Sequence, residues 1–89
     1  MLTEEDKNII VTCAKEYNAS SLFIFGSSIE EGAEANDIDI GVTGVPPKSF
    51  FKFYAKLIKN LPKNVDLVDL SRKSLFNDLV EKNGVKIYG

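Results

Sequence analysis

There is no histidine in the 89 residues and only one cysteine, Cys13. One thiol cannot form a disulfide within the chain. Without histidine, the usual donors of a zinc site are missing, so any metal would be held by oxygen, which points to Mg²⁺, Mn²⁺ or Ca²⁺. General acid–base chemistry would likewise fall to carboxylates. Positive charge is scarce too: 11 Lys and Arg against 13 Asp and Glu leave a net charge of −2. That argues against nucleic acid as the main partner, because clustered basic residues drive such binding. A nucleotide carried with its metal remains allowed. No long apolar run is present, and residues 1–6 are acidic rather than signal-like, so the expectation is a cytoplasmic protein without membrane contact.

The apolar share of 44% and charged share of 27% are those of a folded globular chain. A length of 89 residues predicts one domain, 1–89, with a modest core. Thr3 can cap a first helix, with Glu4, Glu5 and Asp6 in its first turn. Ile9, Ile10, Cys13, Ala14 and Tyr17 recur at helical spacing, which makes Cys13 a core residue rather than a reactive one. Asn18 is a plausible stop. A buried strand follows over 22–25, a short helix over 27–31, a loop over 32–36 and an alternating strand over 37–42. Pro46 and Pro47 open a helix whose apolar stripe is Phe50, Tyr54, Leu57, Ile58 and Leu61, stopped by Pro62. A third strand spans 65–70. A last helix spans 74–83, with Leu75, Leu79 and Val80 facing inward and Gly84 at its C-cap. Val85–Tyr88 has the length of a short edge strand. The order α-β-α-β-α-β-α, with that optional final strand, implies an α/β (α+β) fold in which helices cover a small sheet.

The chemistry concentrates in the stretch FIFGSSIEEGAEANDIDIGV. Asp37 and Asp39 alternate along a strand, so they share one face while Ile38, Ile40 and Val42 share the other. Their Cα atoms would lie about 6.5 Å apart, close enough for both carboxylates to converge on one or two metal ions. Like charges so close are unfavourable without a cation. Gly26 allows backbone N–H groups to approach a phosphate, and Ser27 adds a hydroxyl donor. A helix opening at Ser28 would turn its N-terminus toward an anion. A third carboxylate would complete a two-metal site. Asp66, flanked by Val65 and Leu67 as Asp39 is by Ile38 and Ile40, is the better candidate; Asp69 falls on the opposite face near the strand end. A Gly-Ser after a strand is by itself an ordinary turn, and a lone D-x-D an ordinary solvated face. Together, with a third aspartate, they describe a triphosphate and its metals. Lys48, Lys52, Lys56 and Lys59 line one side of the third helix; a solvated face is the plainer reading, a contact surface for nucleotide or an acidic partner the functional one.

Gly26-Ser27, Asp37-Ile38-Asp39 and Asp66 resemble the pattern of the nucleotidyltransferase superfamily that includes DNA polymerase beta. In size, in VDLV at 65–68 and in GV-x-x-Y at 84–88, the chain is most similar to the minimal nucleotidyltransferases, or MNT proteins. The resemblance implies a polymerase-beta-like fold with a mixed sheet. It implies two Mg²⁺ ions (Mn²⁺ as the alternative) held by Asp37, Asp39 and Asp66, with Asp66 also helping to activate the attacking hydroxyl, and a triphosphate held by Gly26, Ser27 and Ser28. It further implies a toxin–antitoxin role: an antitoxin that transfers AMP from ATP to a hydroxyl, often a tyrosine, of a helical HEPN toxin. Where many MNT proteins carry an arginine within GSRARG, this chain has Ser28-Ile29-Glu30-Glu31-Gly32. The acidic pair motivates a second reading, an MNT-fold protein that neutralises its partner by binding alone. A third is an adenylyltransferase subunit for a small hydroxylated molecule. So small a unit has little left to grip an acceptor, so a homodimer or a complex with a helical protein is expected.

Overall fold

The structure, a computed structural model, describes residues 2–26 and 37–89. The helix expected over 27–31 and the loop over 32–36, with Ser27, Ser28, Glu30 and Glu31, lie outside the described residues.

Helix α1, Glu4–Glu16, begins where Thr3 Oγ1 accepts a hydrogen bond from the Asp6 amide at 3.1 Å. That bond satisfies one of the donors a helix start leaves open. The chain leaves α1 through Asn18, whose φ of 57° lies in the left-handed region that asparagine tolerates. It then enters strand β1, Ser21–Phe25, followed by β2, Asp37–Thr43. Helix α2, Pro47–Asn60, carries Pro47 in its first turn, where the missing N–H costs nothing. Strand β3, Asn64–Asp69, helix α3, Leu75–Asn83, and strand β4, Val85–Tyr88, complete the order.

The sheet runs β3-β2-β1-β4. β1 pairs antiparallel with both β2 and β4, whereas β2 and β3 are parallel. A parallel pair needs a long crossover, and α2 supplies it. One face of the sheet offers Leu22, Ile24, Ile38, Ile40, Val65 and Leu67 to Ile10, Phe53 and Leu57 of α1 and α2, forming the main core. Cys13 is buried there, and that burial, followed by the charge of Glu16, pushes its thiol above the usual range. Tyr54 ties α2 to the sheet by donating its hydroxyl to the Val65 carbonyl at 2.7 Å.

The opposite face is divided. Phe23, Leu70 and Val80 form a small second core beneath α3, with Phe25 and Val68 packed against it. Leu70 crosses directly over Gly41, where an added Cβ would stand 2.5 Å from Leu70 Cδ1. The rest of that face carries Asp37, Asp39 and Asp66.

Two apolar assignments need correction. Leu75 and Leu79 are 78% and 48% exposed, not inward, and Ile58 is 52% exposed. Helix α3 is oriented by polar bonds: Ser74 Oγ accepts from the Asn77 amide, and Asn77 Nδ2 donates to the carbonyls of Asp69 and Arg72 at 3.2 and 2.7 Å. With Asn77 buried against the end of β3, Val80 follows it inward and the other apolar positions turn away. On α2, Phe53 and Leu57 take the buried line, so Ile58, one step round the helix, is left outside. Among the described residues no helix is long and apolar enough to cross a membrane.

The contrast is measurable by urea denaturation. Phe53→Ala, at a fully buried site, is expected to lower stability by about 3–5 kcal/mol. Leu75→Ala should stay within about 0.5 kcal/mol of the parent.

Candidate active site

Asp37 and Asp39 reach the same side of β2 because side chains alternate along a strand. The parallel register then decides which third carboxylate joins them: Asp39 is the partner of Asp66, and Asp37 the partner of Asn64. Asp69 pairs with Val42 and turns its Oδ1 to the Ser71 amide at 2.9 Å. Asp66 therefore stands beside Asp39 on the face away from the main core, and Asp69 does not.

Asp37 and Asp66 are exposed and Asp39 is half-buried. Burial raises the Asp39 carboxyl above the usual carboxylate range, and the neighbouring charges of Asp66 and then Asp37 raise it further. Electrostatics thus links all three groups. Among the described residues no three acidic, histidine or cysteine side chains are gathered closely enough to hold a metal ion. The donor chemistry nevertheless suits a hard divalent cation, which takes carboxylate oxygens and relieves like-charge repulsion.

Gly26 closes the cluster on the β1 side. Its φ is +66°, and a Cβ built on it would collide with Asp39 Oδ2 and lie 3.2 Å from Asp39 Cγ. Only glycine allows backbone to pass so near this carboxylate. Ser27 and Ser28 lie outside the described residues, so of the three expected nucleotide contacts only Gly26 is placed. Of the four lysines on α2, Lys56 turns toward α1 and stands 3.8 Å from Glu16, while Lys48, Lys52 and Lys59 are exposed.

Reading the sequence missed a groove next to this cluster. Phe25 and Gly26 at the end of β1 face Phe76, Leu79, Asn83 and Gly84 across a cavity of about 230 Å³. A signal for it existed: Leu75-Phe76 and Leu79-Val80 together hold more apolar surface than one helix face can bury.

The model of the family described as polymerase beta, nucleotidyltransferase, matches residues 7–89. The chain belongs to the polymerase beta nucleotidyltransferase family. Its helices and four-stranded mixed sheet are the polymerase-beta-like nucleotidyltransferase fold. Among solved structures it is similar to a toxin–antitoxin with AMP-PNP, at 26% identity and a TM-score of 0.76 over 93% of this chain and 73% of that one. The MntA–HepT toxin–antitoxin gives 22% identity and a TM-score of 0.74 over 98% and 73%. The tri-AMPylated Shewanella oneidensis HEPN toxin in complex with MNT antitoxin gives 22% and 0.74 over 99% and 73%. The resemblance to MNT proteins read from the motifs therefore stands. No curated protein matches the sequence.

Two outcomes follow for this family member. Asp39 should titrate above the usual value of about 3.9 in metal-free protein, and Asp66→Asn should bring it down, as followed by carboxyl NMR shifts. Because the folded-state pKa is the raised one, Asp39's contribution to stability is complete below its unfolded pKa and is lost as pH rises through the folded value. Gly26→Ala should displace the Asp39 carboxylate, reducing divalent-ion binding by calorimetry more than it reduces thermal stability.

Proposed function

We propose that this protein is a divalent-metal-dependent nucleotidyltransferase that moves AMP from ATP to a hydroxyl of a partner protein, a tyrosine of a HEPN toxin, and so acts as an antitoxin. The observation that carries the reading is the parallel register that sets Asp66 beside Asp39, with Asp37 on the same face, in a chain of the nucleotidyltransferase family. The similar structures supply the direction: one is a toxin–antitoxin with AMP-PNP, and another holds a tri-AMPylated HEPN toxin.

In this reading Asp37, Asp39 and Asp66 hold Mg²⁺, or Mn²⁺ in its place. Bound ions would neutralise phosphate charge and acidify the attacking hydroxyl. The hydroxyl oxygen forms a bond to the α-phosphorus of ATP, and the bond to the bridging oxygen breaks. Pyrophosphate leaves, and Asp66 is the carboxylate that receives the hydroxyl proton. Gly26, having no side chain, lets the backbone lie close to the Asp39 carboxylate, where the triphosphate would bind. Ser27 and Ser28 are the other nucleotide-binding residues of this reading. The catalytic gain comes mainly from positioning and charge compensation.

A second reading, partner neutralisation by binding alone, rests on Glu30 and Glu31 following Gly26-Ser27 in the sequence, because two carboxylates near a triphosphate would oppose it.

Incubation with ATP labelled at the α-phosphate, Mg²⁺ and the protein encoded next door tests both. Label should appear on the neighbour, and Asp37→Asn with Asp39→Asn should reduce it by at least about a hundredfold while the melting curve is retained. Retained transfer in that variant would refute the assignment. A stable complex without label would favour the binding protein.

A further inference from the structure

We propose that the cleft between the first turns of α2 and the end of β3 docks an acidic segment of a partner protein, one that carries a large apolar side chain among its carboxylates. The inference deepens the reading above, which calls for a protein partner, and rests on it for that partner alone. Pro47, Phe50 and Phe51 of α2 line the cleft on one side, with Asp69 and Arg72 on the other, around about 360 Å³. Phe51 is 79% exposed, although Phe53 and Leu57 of the same helix are buried. Its ring meets Phe50 edge-on at 6.0 Å and 88°, and Phe50 packs against the main core. A half-buried ring thus supports an exposed one, and with Pro47 they give the cleft a rigid apolar wall.

Charge decides what this wall can take. Lys48 neighbours Phe51 across one helical turn, Lys52 follows Lys48 by one turn, and Arg72 lines the facing side. All three cations are exposed. The ion pairs among the described residues are Lys7–Glu4 and Lys56–Glu16, so these three are not used within the described fold. The carboxylate in the lining, Asp69, accepts from the Ser71 amide at 2.9 Å. Two features oppose the stability of α2: Lys48 and Lys52 are like charges four residues apart, and Lys48 sits at the positive end of a helix whose first turn holds no acidic residue. An acidic partner relieves both. The other lysines of the α2 stripe stand apart, Lys56 beside Glu16 and Lys59 in the last turn. The segment carrying Arg72 is already held: its carbonyl accepts from Asn77 Nδ2 at 2.7 Å, and Ser71 Oγ accepts from the Gly44 amide at 3.3 Å. Binding therefore requires little ordering. A net charge of −2 and an apolar wall beside a carboxylate favour a protein over nucleic acid as the occupant. Asp69 lies on the opposite side of β3 from Asp66, so an acidic segment seated here stays clear of the carboxylate cluster.

Fluorescence anisotropy on the full chain tests this with three labelled probes: a short peptide that sets Phe and Leu among Glu residues, the same peptide with Lys for every Glu, and a DNA duplex. The acidic peptide should bind, more weakly as salt rises, and the other two should not. Phe51→Ala should weaken it by about tenfold or more, as loss of an aromatic anchor does, and Arg72→Glu with Lys48→Glu should do the same. Phe51→Tyr, which keeps the ring, should retain it. Melting curves of all these variants should stay close to the parent's, since the positions are exposed. Asp37→Asn with Asp39→Asn should bind the acidic peptide within about twofold of the parent. No binding of the acidic peptide overturns the proposal, as does unchanged affinity in Phe51→Ala or in the charge-reversed variant. Equal binding of the lysine peptide overturns it too, and tighter binding of DNA makes the cleft a nucleic-acid contact instead. Peptide binding without label transfer to the neighbouring protein would sink the transferase reading and leave the docking cleft standing; transfer without peptide binding would do the reverse.

Discussion

The parallel pairing of β2 with β3 is the constraint on which the candidate site depends. It can form only because α2 carries the chain back across the sheet, and it holds because Ile38, Ile40, Val65 and Leu67 are buried beneath α1 and α2. Once the apolar residues of both strands are committed to that core, the alternate positions must face the other way. Hydrophobic burial therefore sets Asp37, Asp39 and Asp66 on the reverse side of the same strands. Burial, and after it the charges of Asp66 and Asp37, holds the Asp39 carboxyl above the usual carboxylate range.

The reverse face works as two halves. Beneath α3 it is a small apolar core, and beyond α3 it is a field of carboxylates. Two glycines mark the division. Gly41 makes room for Leu70, which lets the small core reach β2, and Gly26 makes room for the Asp39 carboxylate at the end of β1. A side chain at either position would push the two halves into one another. Helix α3 covers only part of the face because Asn77 is held by the carbonyls of Asp69 and Arg72, and this fixed orientation leaves Phe76 and Leu79 exposed opposite Phe25 and Gly26.

Most elements could be read from local pattern because they obey simple periodicities. The alternation from Asp37 to Val42 is a strand that buries one side, and the Thr3 cap and the prolines before α2 mark helix starts whose backbone needs are local. Orientation about a helix axis was less legible. Leu75, Leu79 and Ile58 fit apolar stripes, yet each lies outside, because the stripe was wider than the surface available to it. Hydrogen bonds of Asn77 to carbonyls outside α3 chose among the faces, and nothing in the spacing of apolar residues foretells them.

The sequence by itself determined the carboxylate chemistry, the glycine before it, the absence of nitrogen ligands and the order of helices and strands, since these follow from residue type and near-neighbour spacing. Tertiary structure paired Asp66, already favoured over Asp69 by its flanking residues, with Asp39, and it alone decided that Gly26 touches that carboxylate and that an aromatic groove opens next to it. The physical reason is that register and helix rotation are set by contacts between residues distant in the chain, where burial and hydrogen bonding compete across the whole sheet.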